Sequence, residues 1–462
     1  MKRTIILILL ALVGLDMYAY DFQVDGIYYS ILSPQDLTVE VTYESSSSHN
    51  YSGTVTIPET IEYKNKTLTV TGIGKEAFYM CADLLEVKIS NQVKEIGEKA
   101  FSYCKQLSSI VLPNSVTSIG DQAFSFCTQL SSIVIPNSVT SIGSSAFWNC
   151  SSLTQISLPN DLNEISGGLL ANCTNLKEII FPTNPNKIGR SAFKGCTSIE
   201  TIAIPGSVEF MGDDAFVDCS KLKKIVFEEG EQDIRLGNMS KLYFKDIYAD
   251  FHYGYFHDCP LEEVILNRNL YWSVQTYSSL TKTIQDYPPF SLIDTFTKLT
   301  IGDNVTKIGS YLFKDCNNLT KIELGENVTE IYSNAFQNCS NVKKIVMGKN
   351  ISKIHYSALD GLYQLESIYV FSETPPEVGT QSLNKKVYTF ADVYVPIGTA
   401  EQYKTKKFWK DFVNINEFDP TGIINVTENI ETPSIIFDIQ GRKLSKTKRG
   451  INIINGKKVL IK

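Results

Sequence analysis

The 462-residue chain is poor in histidine, in tryptophan and in long apolar runs. Each shortage removes a class of function. The four histidines, His49, His252, His257 and His355, are scattered, and there is no H-E-x-x-H zinc helix, no G-x-S-x-G elbow and no phosphate-cradling loop. His252 and His257 stand five apart beside Asp250 and Asp258, close enough in sequence to gather a metal. Lone histidines in an aromatic loop are more often structural, so no catalytic, cofactor-binding or metal-ligating set is assigned and no enzymatic activity is expected. Basic charge is also scarce until the end. The net charge is −7, yet eight basic and no acidic residues follow Asp438, so the preceding residues carry about −15. That balance argues against a nucleic-acid partner.

Only the first residues hold a long apolar run. Lys2 and Arg3 precede Ile5 to Leu15, and Ala19 suits a cleavage site, although Met17 replaces the usual small residue before it. The run is too short for a comfortable membrane span. Residues 1–19 therefore read as an export signal, and the mature chain is expected outside the cytoplasm and not membrane-spanning.

What the chain does have is a period of 23. Copies open at Ile73, Ile96, Ile119, Ile142, Ile165, Ile188 and Met211, and again at Ile308, Ile331 and Ile354. Apolar positions recur in them: the opening residue, in most copies an Ala-Phe pair and a Cys, and then Leu-x-x-Ile-x-Leu; in one copy these are Ala123, Phe124, Cys127, Leu130, Ile133 and Ile135. The spacing of Ile119, Ala123, Phe124 and Cys127 lines one side of a short helical turn. Ile133 to Ile135 reads as a short strand that Pro136 stops. Neither half buries its face alone, so the units must stack, with parallel strands about 4.8 Å apart. An α/β repeat follows: a solenoid with a parallel strand ladder and short helical turns.

All ten cysteines occupy one slot, from Cys81 to Cys339. An even count in an exported chain raises the prospect of disulfides. Side chains in register point the same way, however, and Leu362 takes the same slot, so a ladder of unbridged core thiols is the expectation. Metal binding would need convergent clusters such as C-x-x-C with His, which are absent.

This pattern resembles the BspA-like branch of the leucine-rich repeats. The resemblance is carried by Ile119-Gly120-x-x-Ala123-Phe124-x-x-Cys127-x-x-Leu130-x-x-Ile133-x-Ile135-Pro136 and spans about Ile73 to Val370. It implies a secreted or surface protein that binds host matrix proteins or other bacteria. The flanks are consistent with it: alternating residues at 20–72 read as a β-rich N-terminal cap, with Val55-Thr56-Ile57 and Leu68-Thr69-Val70 flanking a Lys64-Asn65-Lys66 turn. Residues 73–370 hold the repeats, and 371–418 read as a C-terminal cap. There, Thr399 and Gln402 have capping-box spacing for a helix from Ala400 towards Trp409, and Trp409 and Phe412 cover the last coil. Residues 419–462 read as a linker and a small β tail of two or three strands that resembles a sorting signal. If the tail has another use, the periplasm becomes the destination instead of the cell surface.

Two surfaces remain as candidates for a ligand. Along the strand side, expected to be the concave face, one outward column includes Val111, Val134, Ile180, Val226, Ile265, Val346 and Tyr369. Aliphatic side chains facing solvent mark a partner site or reflect β-branched strand propensity. The second surface is the irregular stretch 228–290, rich in aromatics that include Tyr243, Tyr253, Tyr271 and Trp272. Insertions in solenoids emerge as loops on the binding face, unless these rings pack on their own coil. Adhesion to a host or bacterial surface protein through the first surface is the leading expectation, and capture of a glycan or peptide by the aromatic stretch is the alternative.

Overall fold

The computed structural model describes residues 19–45, 50–237, 255–272, 288–291 and 293–420, with further strands at Ile436–Asp438, Lys443–Leu444, Gly450–Ile454 and Lys457–Ile461. The leader at 1–18 and the aromatic positions Tyr243 and Tyr253 lie outside the described residues.

Each coil contributes two short strands, and these stack into two parallel ladders. The long ladder uses three- and four-residue strands such as Ser109–Val111, Ser132–Val134 and Lys224–Phe227. The back ladder uses the two residues ending on the copy-opening position, as in Glu95–Ile96, Ser118–Ile119 and Ser141–Ile142. Register follows the period, with Ile119 beside Ile96 and Ile142. Stacking continues through the irregular stretch. Lys224–Phe227 pairs with Glu263–Leu266, which pairs with Lys298–Ile301. On the back, Met211 sits beside Leu236, and Leu236 beside Trp272.

The segment expected to be a helical turn is not an α-helix. Its backbone alternates between two partners. Phe101 N–H donates to Ala123 C=O of the next coil (2.7 Å) and Tyr103 N–H to Ser125 C=O (2.8 Å), whereas Ser102 and Cys104 bond three residues back in their own coil. The neighbouring coil thus supplies the acceptors that i−4 carbonyls would supply in a helix. The geometry requires two left-handed residues per coil, Lys99 (φ 53°) and Tyr103 (φ 64°) in this one. Gly120 has no such conformation; its role is close approach, because a Cβ there would lie 2.6 Å from the Glu98 nitrogen.

The core is a set of identical slots. Opening residues, Ala-Phe pairs, Cys and Leu are buried through the array. The Phe rings stack face to face, Phe78 on Phe101 at 5.0 Å and Phe101 on Phe124 at 5.2 Å. The stack breaks where Leu170 takes the slot and resumes from Phe193 to Phe336, drawing in Phe256 and Phe290 from the irregular stretch. All ten thiols are buried and unbridged. Cys127 donates S–H to Phe101 C=O at 3.1 Å, and Cys150 to Phe124 C=O at 3.1 Å. Burial raises these thiols, Cys81 to about 11 and Cys173 to about 12. Cys suits the slot because it fills an apolar space and still satisfies a turn carbonyl.

At the N-terminal side the hairpin arms are Thr60–Tyr63 and Lys66–Ile73, closed by Lys64 and Asn65 at positive φ. Val55 belongs instead to Gly53–Thr56, which begins the long ladder beside Leu84–Lys88. At the other end the expected capping box does not form. The Thr399 hydroxyl donates to Pro396 C=O, and Glu417 accepts the Ala400 N–H at 3.1 Å. The helix covers Ala400–Thr405 only; Phe408 at φ 78° interrupts the path before the 3-10 turn Trp409–Asp411. Trp409 is fully buried and donates to Pro376 C=O at 2.9 Å. The tail holds four short antiparallel strands rather than two or three.

Candidate functional site

Period-two alternation puts Ile110, Ile133 and Ile202 inward and leaves their neighbours facing out. Val111 and Val134 are directly paired and are 78% and 76% exposed, with Ile180 at 55%. The rest of the column differs. Val226, Ile265 and Val346 are half-buried. Tyr369 stacks on Tyr394 at 4.5 Å, with Lys344 Nζ 4.6 Å over its ring, so it is already engaged. The solvent-facing aliphatic stripe is therefore confined to the first half of the array.

The adjacent column is ionic in the second half. Lys224 lies 2.8 Å from Glu263, and Lys298 pairs with the same carboxylate. The hydrogen bonds from Lys224 and Lys298 hold the Glu263 carboxyl below the usual range. A charge ladder of this kind replaces apolar surface with fixed polarity.

Tyr271 and Trp272 lie on the back ladder, so the structure does not bring them together with the valine stripe. Trp272 packs edge-on to Tyr311 at 6.3 Å and against the core. Tyr271 lines a cavity of about 650 Å³ with Phe210, Asn186, Lys187, Glu209, Asp233 and Arg235. Partial burial, and then the charge of Asp233, push its hydroxyl up to about 12. Three residues earlier in the chain is Arg268, 2% exposed, a residue that composition gave no reason to single out. Its guanidinium donates to the carbonyls of Pro205, Gly206, Val208 and Gln232 at 2.6–3.4 Å. It ties three successive coils where the period breaks.

Sequence reading also missed an aromatic row on the turn side of the first coils. Tyr79, Tyr103, Phe126 and Trp148 are half-buried neighbours, with Tyr103 on Phe126 at 4.3 Å. Tyr103 and Phe126 hold positive φ in a slot that later coils fill with Asn149, Asn172, Gly195 or Asp218. Bulky residues there were the available signal, since the left-handed region favours Gly, Asn and Asp. Of the His and Asp residues spaced to gather a metal, His257 and Asp258 converge with Asp218, their ligand atoms within 4.8 Å of one another. Asp250 and His252 lie outside the described residues.

Comparison with known proteins agrees with this architecture. The model of the BspA type leucine-rich repeat region matches residues 71–198, 150–277 and 252–388, with six copies. No curated protein matches the chain. Among solved structures, a leucine-rich repeat protein of Bacteroides ovatus is 24% identical, covering 87% of this chain and all of its own, at a TM-score of 0.46. A leucine-rich cell surface protein of Faecalibacterium prausnitzii is 22% identical, over 76% of this chain and 94% of its own, at 0.43. The pneumococcal vaccine antigen PcpA is 17% identical, over 86% and 98%, at 0.37. The repeat unit, the two ladders and the family match lead to one conclusion: the chain belongs to the BspA-type leucine-rich repeat proteins.

Proposed function

We propose that this is an exported, non-enzymatic binding protein that adheres to a host or bacterial surface protein through the outward face of its long ladder. The observation that carries the reading is the paired Val111 and Val134, each more than three-quarters exposed. Aliphatic side chains aligned in solvent on a rigid sheet are a surface that a partner desolvates at little ordering cost. Delivery outside the cell rests on the leader at 1–19. Among the described residues, no helix is long and apolar enough to cross a membrane.

The test is adhesion of the full chain to immobilised host matrix proteins and to whole bacterial cells. The double variant Val111→Asp, Val134→Asp should lose about tenfold or more in binding, since each buries a charge at the contact. Undiminished adhesion by that variant rejects the surface.

A second reading, glycan capture, has its own observation: the 650 Å³ cavity that combines Tyr271 and Phe210 with five or more polar side chains. Aromatic faces beside amide and carboxylate groups suit sugar rings. Glycan-array binding removed by Tyr271→Ala, with no adhesion to matrix proteins, would put this reading first.

A further inference from the structure

The long ladder is not continuous. Glu178–Ile180 pairs with Gln155–Ser157 on one side, and Thr201–Ile204 pairs with Lys224–Phe227 on the other, but the two strands do not pair with each other. Nearly all of their Cα pairs lie more than 8 Å apart, against about 4.8 Å for neighbouring strands. The back ladder at the same coils stays closed, Ile165 beside Ile188 beside Met211. The coils have therefore parted on one side only.

The flanking bonds agree. Elsewhere Lys177 N–H reaches Thr154 C=O and Lys223 N–H reaches Glu200 C=O, but Glu200 N–H makes no such bond to Lys177. Leu158 N–H reaches Ile180 C=O, but Phe181 N–H makes none to Ala203. Local sequence accounts for the opening. Leu170 interrupts the Phe stack, and Phe181 turns edge-on to Phe193 at 5.8 Å and stays half-buried. Pro182 and Pro185 then remove donors from the return.

Alternation identifies which backbone groups face the gap. Ile180 C=O bonds the preceding coil and Ile204 C=O the following one. Ile179 is therefore turned to the gap from one side, and Thr201 and Ala203 from the other. Between them is a cavity of about 410 Å³ lined by Ile179, Phe181, Ile202 and Ala203, with Lys177, Glu178 and Glu228 among its charged residues.

We propose that this seam receives an extended peptide segment of a partner protein. The segment would supply the missing rung, bonding to Ile179 on one edge and to Thr201 and Ala203 on the other, with one apolar side chain in the cavity. Strand addition of this type draws affinity from the main chain and selectivity from alternate side chains. Two carboxylates against one ammonium favour a basic residue beside the apolar one. The proposal rests on the partner being a protein, but not on the valine stripe.

The test is selection of short random peptides against the full chain, followed by N-methylation of each backbone nitrogen in an enriched peptide. Consecutive N–H groups of an inserted strand face opposite edges of the seam, so methylation at each successive position within the seated stretch should weaken binding by about tenfold or more, while methylation outside that stretch should leave it unchanged. Hydrogen exchange on the unaltered protein should show the Thr201 and Ala203 amides fast when unbound, slow with peptide, and the paired Lys224 and Val226 amides slow throughout. Ala203→Pro should abolish binding; Val111→Asp with Val134→Asp should not, which separates this proposal from the surface reading. Peptides that tolerate methylation everywhere, failure to enrich any, or protected Thr201 and Ala203 amides in the unbound chain would overturn it.

Discussion

The two ladders run through the same coils under different constraints. In the back ladder the residue that closes each strand is buried in every regular coil, from Ile96 through Met211 to Ile354. Its partner positions repeat at the sequence period, and that closing residue varies only from one apolar side chain to another, whereas the residue before it runs from Glu95 to Ser118 to Lys187 to Phe210. In the long ladder the inward Ile is equally constant, but the outward neighbour changes from Val134 to Ser157 to Ile180 to Thr300. The back ladder sets the spacing of the coils, and the long ladder carries what distinguishes one coil from the next. It is also the side that opens at Ile180 and Thr201, where the back of the same coils, Ile165 beside Ile188 beside Met211, remains paired.

Substitutions can break that comparison, starting with the coil junctions. Arg268→Met should cost about 3–5 kcal/mol, because four buried carbonyls lose their donor. Urea unfolding followed by circular dichroism measures it, and a loss below about 1 kcal/mol would mean that water replaces the guanidinium. Gly120→Ala should cost about 1–3 kcal/mol by forcing Cβ onto the neighbouring backbone. An unchanged midpoint would show that the coils yield more readily than their stacking implies.

Smaller effects belong to the long ladder. The Glu263 carboxyl is held below its ordinary value by Lys224 and Lys298. Its contribution to stability is complete above the unfolded value, about 4.3, and is lost as pH falls through the folded one. Glu263→Gln should therefore unfold at a lower temperature than the parent near neutrality and match it in strong acid. A constant gap across that range would assign the effect to packing. Val134→Asp should change stability by no more than about 0.5 kcal/mol, read by the same urea titration, while reducing adhesion. A large destabilisation would mean that the outward column is structural after all.

The slots of the core were legible because the same residues recur at one spacing. Phe101, Phe124 and Cys127 announce a shared interior before any coordinate is known. The back ladder was not legible, since a strand of two residues is too short to alternate. The helical expectation for Ala123 to Cys127 failed for a related reason. Apolar spacing of four, one and three fits either a helix or a flattened turn, and only the carbonyls of the next coil decide between them. For the candidate site, the outward position of Val111 and Val134 was readable from alternation. The engagement of Tyr369 by Tyr394 was not, because its partner lies beyond the repeats. Arg268 reads as an ordinary loop cation between Asn267 and Asn269, and its burial depends on coils more than thirty residues away.

Because Ile119 lies between Ile96 and Ile142 in matching register, length in this architecture comes in whole units. Excising residues 119–141 would join Ser118 to Ile142 and set Ile142 directly against Ile96, shortening the molecule by one turn with its interior intact. Removing one residue more or fewer would turn the following inward side chains outward. Such a scaffold can lengthen or shorten by recombination between its own copies, and the face it offers a partner can be reordered without being redesigned.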